Sequence, residues 1–278
     1  MISFPWEKTL NNIDLITLFH KVRKRIATQG LLPFLYDLAN LINFPPNGFP
    51  RYGVDKFMQE IAGEVTAGVL VLDAGAGHRP YRNLFRHTVY ESCDYLPVLE
   101  EVGGDTGVDH TFFCDLENIP RPENTYDVII CNQVLEHLKI PAKAIAEFHR
   151  VLKPGGVLYL TAPQCFGIHM APHNYFNFLD SGLKFLLTKA GFQGVTIRSL
   201  GGTFWLLGKV TEKAYGCLIE KIRPGLRGLY LPFHLLVRLN LFFFFFILFF
   251  LDGLDREKGW TLNYGCSGYK PRGADGPN

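Results

Sequence analysis

VLVLDAGAGHRPYR, residues 69–82, is the stretch whose reading decides the fold. Val69, Leu70, Val71 and Leu72 form a short apolar run, suited to a strand buried on both faces of a parallel sheet. Asp73 closes the run. Gly75 and Gly77 then allow a tight turn in which backbone can approach a ligand closely. Strand, glycine turn and helix start together put that ligand at the carboxyl edge of a parallel sheet. The turn is not built for a pyrophosphate. The dinucleotide fingerprint needs a third glycine where Pro80 stands, and the acid Asp73 repels phosphate. The loop suits a ligand that brings positive charge or hydroxyls.

Outward from this run, strands and helices alternate. Thr88–Cys93 is a second strand ending at Asp94, and a third short apolar stretch precedes Asp115. YDVIICN (126–132) is a fourth strand, Pro141–Leu152 is an amphipathic helix stopped by PGG (154–156), and VLYLTAP (157–163) is a fifth strand. Asp180 caps a helix that runs to Ala190 and ends at Gly191–Phe192, Val195–Ser199 is a sixth strand, and TLNYGCSGYKP (261–271) is the last. The alternation predicts an α/β fold, a doubly wound and mostly parallel seven-stranded sheet. On the N-terminal side, residues 1–53 read as a helical extension, patterned by Leu31, Leu35, Leu38 and Ile42 and closed by the turn-rich NFPPNGFPRYG (43–53). Residues 54–65 read as a helix leading into the first strand. The expected division is 1–53, a core at 54–204, an apolar helical insertion at 205–260, and a final strand and tail at 261–278.

Composition narrows the function. A net charge of +2 over 278 residues argues against a nucleic-acid partner, and no nucleic-acid-binding signature is present. The six cysteines are scattered without a C-x-x-C pair, which fits a reducing, cytoplasmic setting. MISFPWEKTLNNIDL lacks the basic-then-apolar pattern of a secretory leader. No His, Asp or Glu group shows metal-ligand spacing, so no metal is expected. Glu147 and Arg150 read as part of a solvated helix face.

The acids carry the chemistry. In a doubly wound sheet the first two strands lie side by side, so Asp73 and Asp94 face one crevice. An acid at the end of the second strand can accept from two ribose hydroxyls. Asp115 and Leu116 follow at the end of the third strand, where an adenine amino group can be met, and Tyr95 can lie against the ring. Cys131, Asn132 and Gln133 end the fourth strand.

VLVLDAGAG (69–77), ESCDY (91–95), CDLENIP (114–120), YDVIICNQVLEHL (126–138) and EFHRVLKPGGVLYLTAP (147–163) stand in order and at matching spacing. On these five stretches the chain resembles the class I S-adenosylmethionine-dependent methyltransferases, within them the broad type 11 group, over roughly residues 54–204. GHRPYRNLF (77–85) and APHNYFNFLDSGLKFLLTKAGF (171–192) are similar to a bacterial subgroup linked with surface polysaccharides and lipid-linked sugars, in which an arginine usually stands where this chain has Asn177. The resemblance implies a Rossmann-like methyltransferase fold and S-adenosyl-L-methionine as cofactor. It implies that Asp73, Gly75 and Gly77 hold the methionine moiety, Asp94 the ribose, Asp115 with Leu116 the adenine, and that Asn132 shapes the methyl-transfer end. An acceptor hydroxyl benefits from a base within reach, and His173, His137 and His169 are the candidates, His173 first because its loop follows the fifth strand.

LFFFFFILFFL (241–251) is unlike the rest of the chain, which holds 24 phenylalanines in all. Extended back to Leu229 it admits Pro232, His234, Arg238 and Asn240. If 261–271 returns to the same sheet as 195–199, a single crossing of a membrane would strand the last strand. A shallow or re-entrant helical insertion over 229–251 avoids that conflict and makes the protein peripheral or monotopic. Lys209, Lys213, Lys221, Arg223 and Arg227 outnumber Glu212 and Glu220 nearby and suit anionic headgroups. The expected activity is methyl transfer to oxygen of a lipid-linked or sugar-containing acceptor. The alternatives are a soluble small-metabolite methyltransferase whose insertion forms a lid or homodimer seam, and a binding module that keeps the fold without turnover.

Overall fold

A computed structural model describes residues 48–101, 107–221 and 226–272. The N-terminal patterning at Leu31–Ile42 and the basic Arg223 lie outside these residues. The described residues divide into two units, the larger within Pro45–Lys209 and Leu248–Asn278, the smaller within Val210–Ile247.

The larger unit is built on one seven-stranded sheet: β1 (Leu70–Ala74), β2 (Val89–Asp94), β3 (Phe112–Phe113), β4 (Tyr126–Asn132), β5 (Leu152–Pro163), β6 (Gln193–Leu200) and β7 (Asn263–Tyr269). Their spatial order is β3-β2-β1-β4-β5-β7-β6. Pairing is parallel except where β7 lies antiparallel between β5 and β6. The order reverses between β1 and β4, and a ligand crevice opens at such a switch point, beyond the carboxyl ends of the strands.

Period-two alternation splits the core. Leu72, Ala74, Ile129 and Cys131 face one side of the sheet, together with Ala144, Ile145 and Phe148 of α3 (Pro141–Val151) and Leu183 and Leu187 of α4 (Asp180–Lys189). Val71, Val128 and Ile130 face the other, against Val54, Phe57, Met58 and Ile61 of α1 (Gly48–Glu64). Burial on both faces is why β1 and β4 read as unbroken apolar runs. Phe148 is fully buried at the centre of the first cluster. Phe148→Ala is expected to cost about 3–5 kcal/mol, read as a lower urea midpoint with unchanged slope.

Three local expectations are corrected. The helix α1 starts at Gly48, inside the stretch 43–53 read as a break. Pro50 falls in its first turn, where a missing N–H costs no intrahelical bond. Pro154–Gly156 does not separate helix from strand but belongs to β5, where Gly155 N–H donates to Lys270 (2.7 Å) and Lys270 N–H to Gly156 (2.9 Å). Glu147 and Arg150 are more than a solvated pair. Glu147 Oε2 accepts from Ile119 N–H (3.0 Å), and Arg150 donates to the carbonyls of Ile119 and Arg121 (both 2.9 Å), so the pair clamps the loop before β4. The Arg150 guanidinium holds the Glu147 carboxyl below its usual range.

The insertion follows β6. Helix α5 (Thr203–Ile219) and helix α6 (Arg227–Leu251) leave and rejoin the sheet at one place, since Leu200 of β6 pairs with Asn263 of β7. A short α2 (Leu96–Glu101) completes the helices named here. Buried Asp252 fastens the base of the insertion: Oδ1 accepts from Gly202 N–H (2.9 Å) and Trp205 N–H (3.2 Å), and Oδ2 from Lys258 Nζ (2.7 Å). Trp205 also stacks on Phe249, with ring centroids 5.2 Å apart.

Candidate functional site

The turn after β1 is held from β2. Gly75 and Ala76 donate their N–H groups to the Cys93 carbonyl (2.9 and 3.1 Å). Gly75 has φ +74, and a Cβ there would lie 2.6 Å from Val134, so only glycine fits. Gly77 has φ +52 and open space where a Cβ would stand. A backbone bared in this way can meet a bound molecule directly.

Asp94 ties this turn to its own strand. Its Oδ2 accepts from Gly77 N–H and its Oδ1 from Tyr95 N–H, both at 2.7 Å. Each carboxylate oxygen has a second lone pair, so both can still accept from a ligand hydroxyl. Asp73 is buried at the end of β1, where Tyr90 Oη donates to its Oδ2 (2.5 Å). Burial pushes the Asp73 carboxyl up to about 6; the Tyr90 hydroxyl offsets part of this, and the Asp94 charge adds to it. Asp73 and Asp94 thus lie beside one glycine turn, close enough for their charges to interact.

The remaining cofactor candidates sit on the neighbouring strand ends. Tyr95 is exposed. Asp115 is exposed, and its Oδ1 accepts from Glu117 N–H (2.9 Å) in a turn that fixes the loop after β3. The Leu116 side chain is buried in the core, so its backbone is the part that a ligand can meet. Asn132 ends β4 and accepts from Thr161 Oγ1 of β5 (2.5 Å), while Gln133 adopts φ +55 and donates its N–H to the Thr161 carbonyl (3.1 Å).

The three histidines come together on the β4 and β5 side. His137 lies in a 3-10 turn, Leu135–His137, and its Nδ1 faces the His173 carbonyl at 2.5 Å. The His137 and His169 rings meet edge to face with centroids 4.8 Å apart. His173 Nδ1 lies 3.2 Å from Tyr175 Oη. Asn177 donates to the Phe166 carbonyl (3.1 Å), bracing the same loop.

Four residues here escape sequence reading. Tyr90 and Thr161 act from mid-strand positions with no motif. Buried His110 bonds Ser92 Oγ (3.2 Å) beside Asp94, and burial holds its imidazole below the usual range. Glu136 is fully buried within the LEHL run, and burial pushes its carboxyl up to about 8. An acid inside an apolar run is the one signal that marked it.

Residues 72–160 match the family model described as a methyltransferase domain. A tRNA (carboxymethyluridine(34)-5-O)-methyltransferase of Arabidopsis thaliana is 35% identical over 98 residues, 34% of this chain and 24% of that protein. The ubiquinone/menaquinone biosynthesis C-methyltransferase UbiE of Paraburkholderia phymatum is 33% identical over 104 residues, 34% of this chain and 43% of that protein. The chain therefore spans less than half the length of these curated relatives. A solved phosphoethanolamine N-methyltransferase 2 of Haemonchus contortus, in complex with S-adenosyl-L-methionine, is 16% identical with a TM-score of 0.49, covering 90% of this chain and 60% of that one.

Proposed function

We propose, from the premise that residues 72–160 are a class I S-adenosylmethionine-dependent methyltransferase domain, that the protein methylates an oxygen of a lipid-linked or sugar-containing acceptor at a membrane surface. S-adenosyl-L-methionine supplies an electrophilic methyl group on a sulfonium. The residues present suit it. Asp73 offers a buried carboxylate to the methionine ammonium, Gly75 and Gly77 offer bare backbone, and Asp94 keeps acceptor capacity for the ribose. Tyr95, Asp115 and the Leu116 backbone border the adenine, and Asn132 borders the methyl-transfer end. The protein's own work is to orient the acceptor, exclude water and take the acceptor's proton, with His173 as the base.

One observation carries the membrane half of this reading: α6 buries only a few residues, Leu231, Phe245 and Leu248 with the polar His234 and Arg238 among them, and leaves most of its large apolar side chains exposed. His234 and Arg238 are buried, and within the smaller unit Tyr215 Oη bonds His234 Nδ1 at 2.6 Å. Leu229, Phe233, Leu236, Phe243, Ile247 and Phe250 each expose more than half of their surface. A water-facing helix has the opposite arrangement, whereas one facing lipid turns polar groups inward. The stretch Leu229–Leu254 is long and apolar enough to cross a membrane by length and composition. Since α5 and α6 leave and rejoin the sheet at one place, the pair suits entry and exit on one side. Exposed Lys213 and Lys221 can meet anionic headgroups.

Two measurements test this. With methyl-labelled cofactor and an extracted membrane-lipid fraction, label is expected in the organic phase; label only in water-soluble products favours the small-metabolite alternative. In vesicle flotation with phosphatidylglycerol, the wild type is expected to float and Phe243→Glu/Ile247→Glu to stay at the bottom. Wild type that stays at the bottom overturns membrane contact.

A further inference from the structure

We infer that Glu136, His137 and His169 form a binding site for one divalent first-row transition-metal ion of the zinc class. Spacing in the sequence hides it: Glu136 and His137 are adjacent after β4, and the third residue lies on the loop after β5. The fold brings one ligand atom from each within 4.8 Å of the others.

Two independent features point to a cation there. First, Glu136 is fully buried, and neither carboxylate oxygen has a hydrogen-bond partner. A buried carboxylate without partners is costly, and a coordinated cation removes the cost. Second, both imidazoles are oriented as metal ligands are. His137 Nδ1 faces the His173 carbonyl (2.5 Å) and His169 Nδ1 the Gly167 carbonyl (3.0 Å). A carbonyl only accepts, so each Nδ1 carries the proton and each Nε2 keeps its lone pair. An outer-shell carbonyl that fixes the tautomer is the usual support of a metal-bound histidine. His137 Nε2 already lies 3.8 Å from Glu136 Oε1.

Two imidazoles and one carboxylate suit zinc, cobalt or a similar ion rather than magnesium or calcium. Tetrahedral bonds of about 2.1 Å would set ligand atoms roughly 3.5 Å apart, which small side-chain rotations reach. Three protein ligands leave a coordination position for an oxygen ligand. Asp73 and Asp94 supply no ligand to this group, which lies beside the His173 backbone.

The test is titration of metal-stripped full-length protein with Co2+, followed by its visible absorption, in wild type, Glu136→Gln and His169→Ala. Circular dichroism checks that each is folded; His169 lies on a loop outside the core. The expected result is one tight site in the wild type, weakened at least about tenfold in both variants and displaced by Zn2+. No absorption in the wild type, or equal affinity in all three proteins, overturns the site. S-adenosylmethionine binding is measured on the same samples. Its loss with Co2+ binding intact counts against the methyl-transfer reading and leaves the metal site standing.

Discussion

Asp73→Asn is expected to give a protein more stable than wild type at pH 8 and unable to hold S-adenosylmethionine. The Asp73 carboxyl is raised from 3.8 to about 6, first because it is buried. Between those values the folded protein keeps a proton that the unfolded chain has lost. Stability therefore falls as pH rises through this window, and the full cost, about 3 kcal/mol, is present above pH 6. Asparagine removes the charge but still accepts from the Tyr90 hydroxyl, so the net gain is roughly 1–3 kcal/mol, seen as a higher melting temperature. In the proposed site the same change deletes the partner of the methionine ammonium. In the wild type, cofactor affinity is expected to weaken below pH 6 as Asp73 takes up a proton, by up to about tenfold per pH unit. The variant should lack this dependence. A variant less stable than wild type at pH 8, with affinity intact, would show that Asp73 is a structural strand end.

Asp94→Ala is expected to weaken S-adenosylmethionine binding at least about 100-fold. Two effects add. In the proposed site the ribose loses its charged acceptor, where each such hydrogen bond contributes roughly 1.5–3 kcal/mol. The Gly77 and Tyr95 amides lose the carboxylate that holds the turn closed at 2.7 Å on each side. Asp94→Asn separates the effects, because its single carbonyl can keep one amide in place while losing the charge. Equilibrium dialysis with labelled cofactor should rank wild type, Asp94→Asn and Asp94→Ala in falling order. Equal retention by all three would remove Asp94 from the site.

The strand ends were legible because buried parallel strands write apolar runs, and acids directly after them are conspicuous. Asp73 and Asp94 stand out in this way, Asn132 only as the end of an apolar run, and the seven strands read in their observed order. The insertion of β7 between β5 and β6 could be expected only as a return to the sheet, since antiparallel pairing leaves no local mark in TLNYGCSGYKP. The start of α1 is hidden in the sequence because Pro50 and two glycines look like a break, yet a first turn tolerates proline. Tyr90 was illegible: a tyrosine mid-strand is ordinary until the neighbouring strand brings Asp73 within 2.5 Å. The meeting of Glu136, His137 and His169 depends on two loops from different strands, and no spacing rule reaches across them. In α6, composition announced an apolar helix, but which residues face outward became visible only in three dimensions.

The most direct test of the central claim is calorimetric titration of the full-length wild-type protein with S-adenosylmethionine at pH 7.5. One site per chain is expected, with S-adenosylhomocysteine competing for it. A folded protein that shows no binding at saturating cofactor would contradict the account.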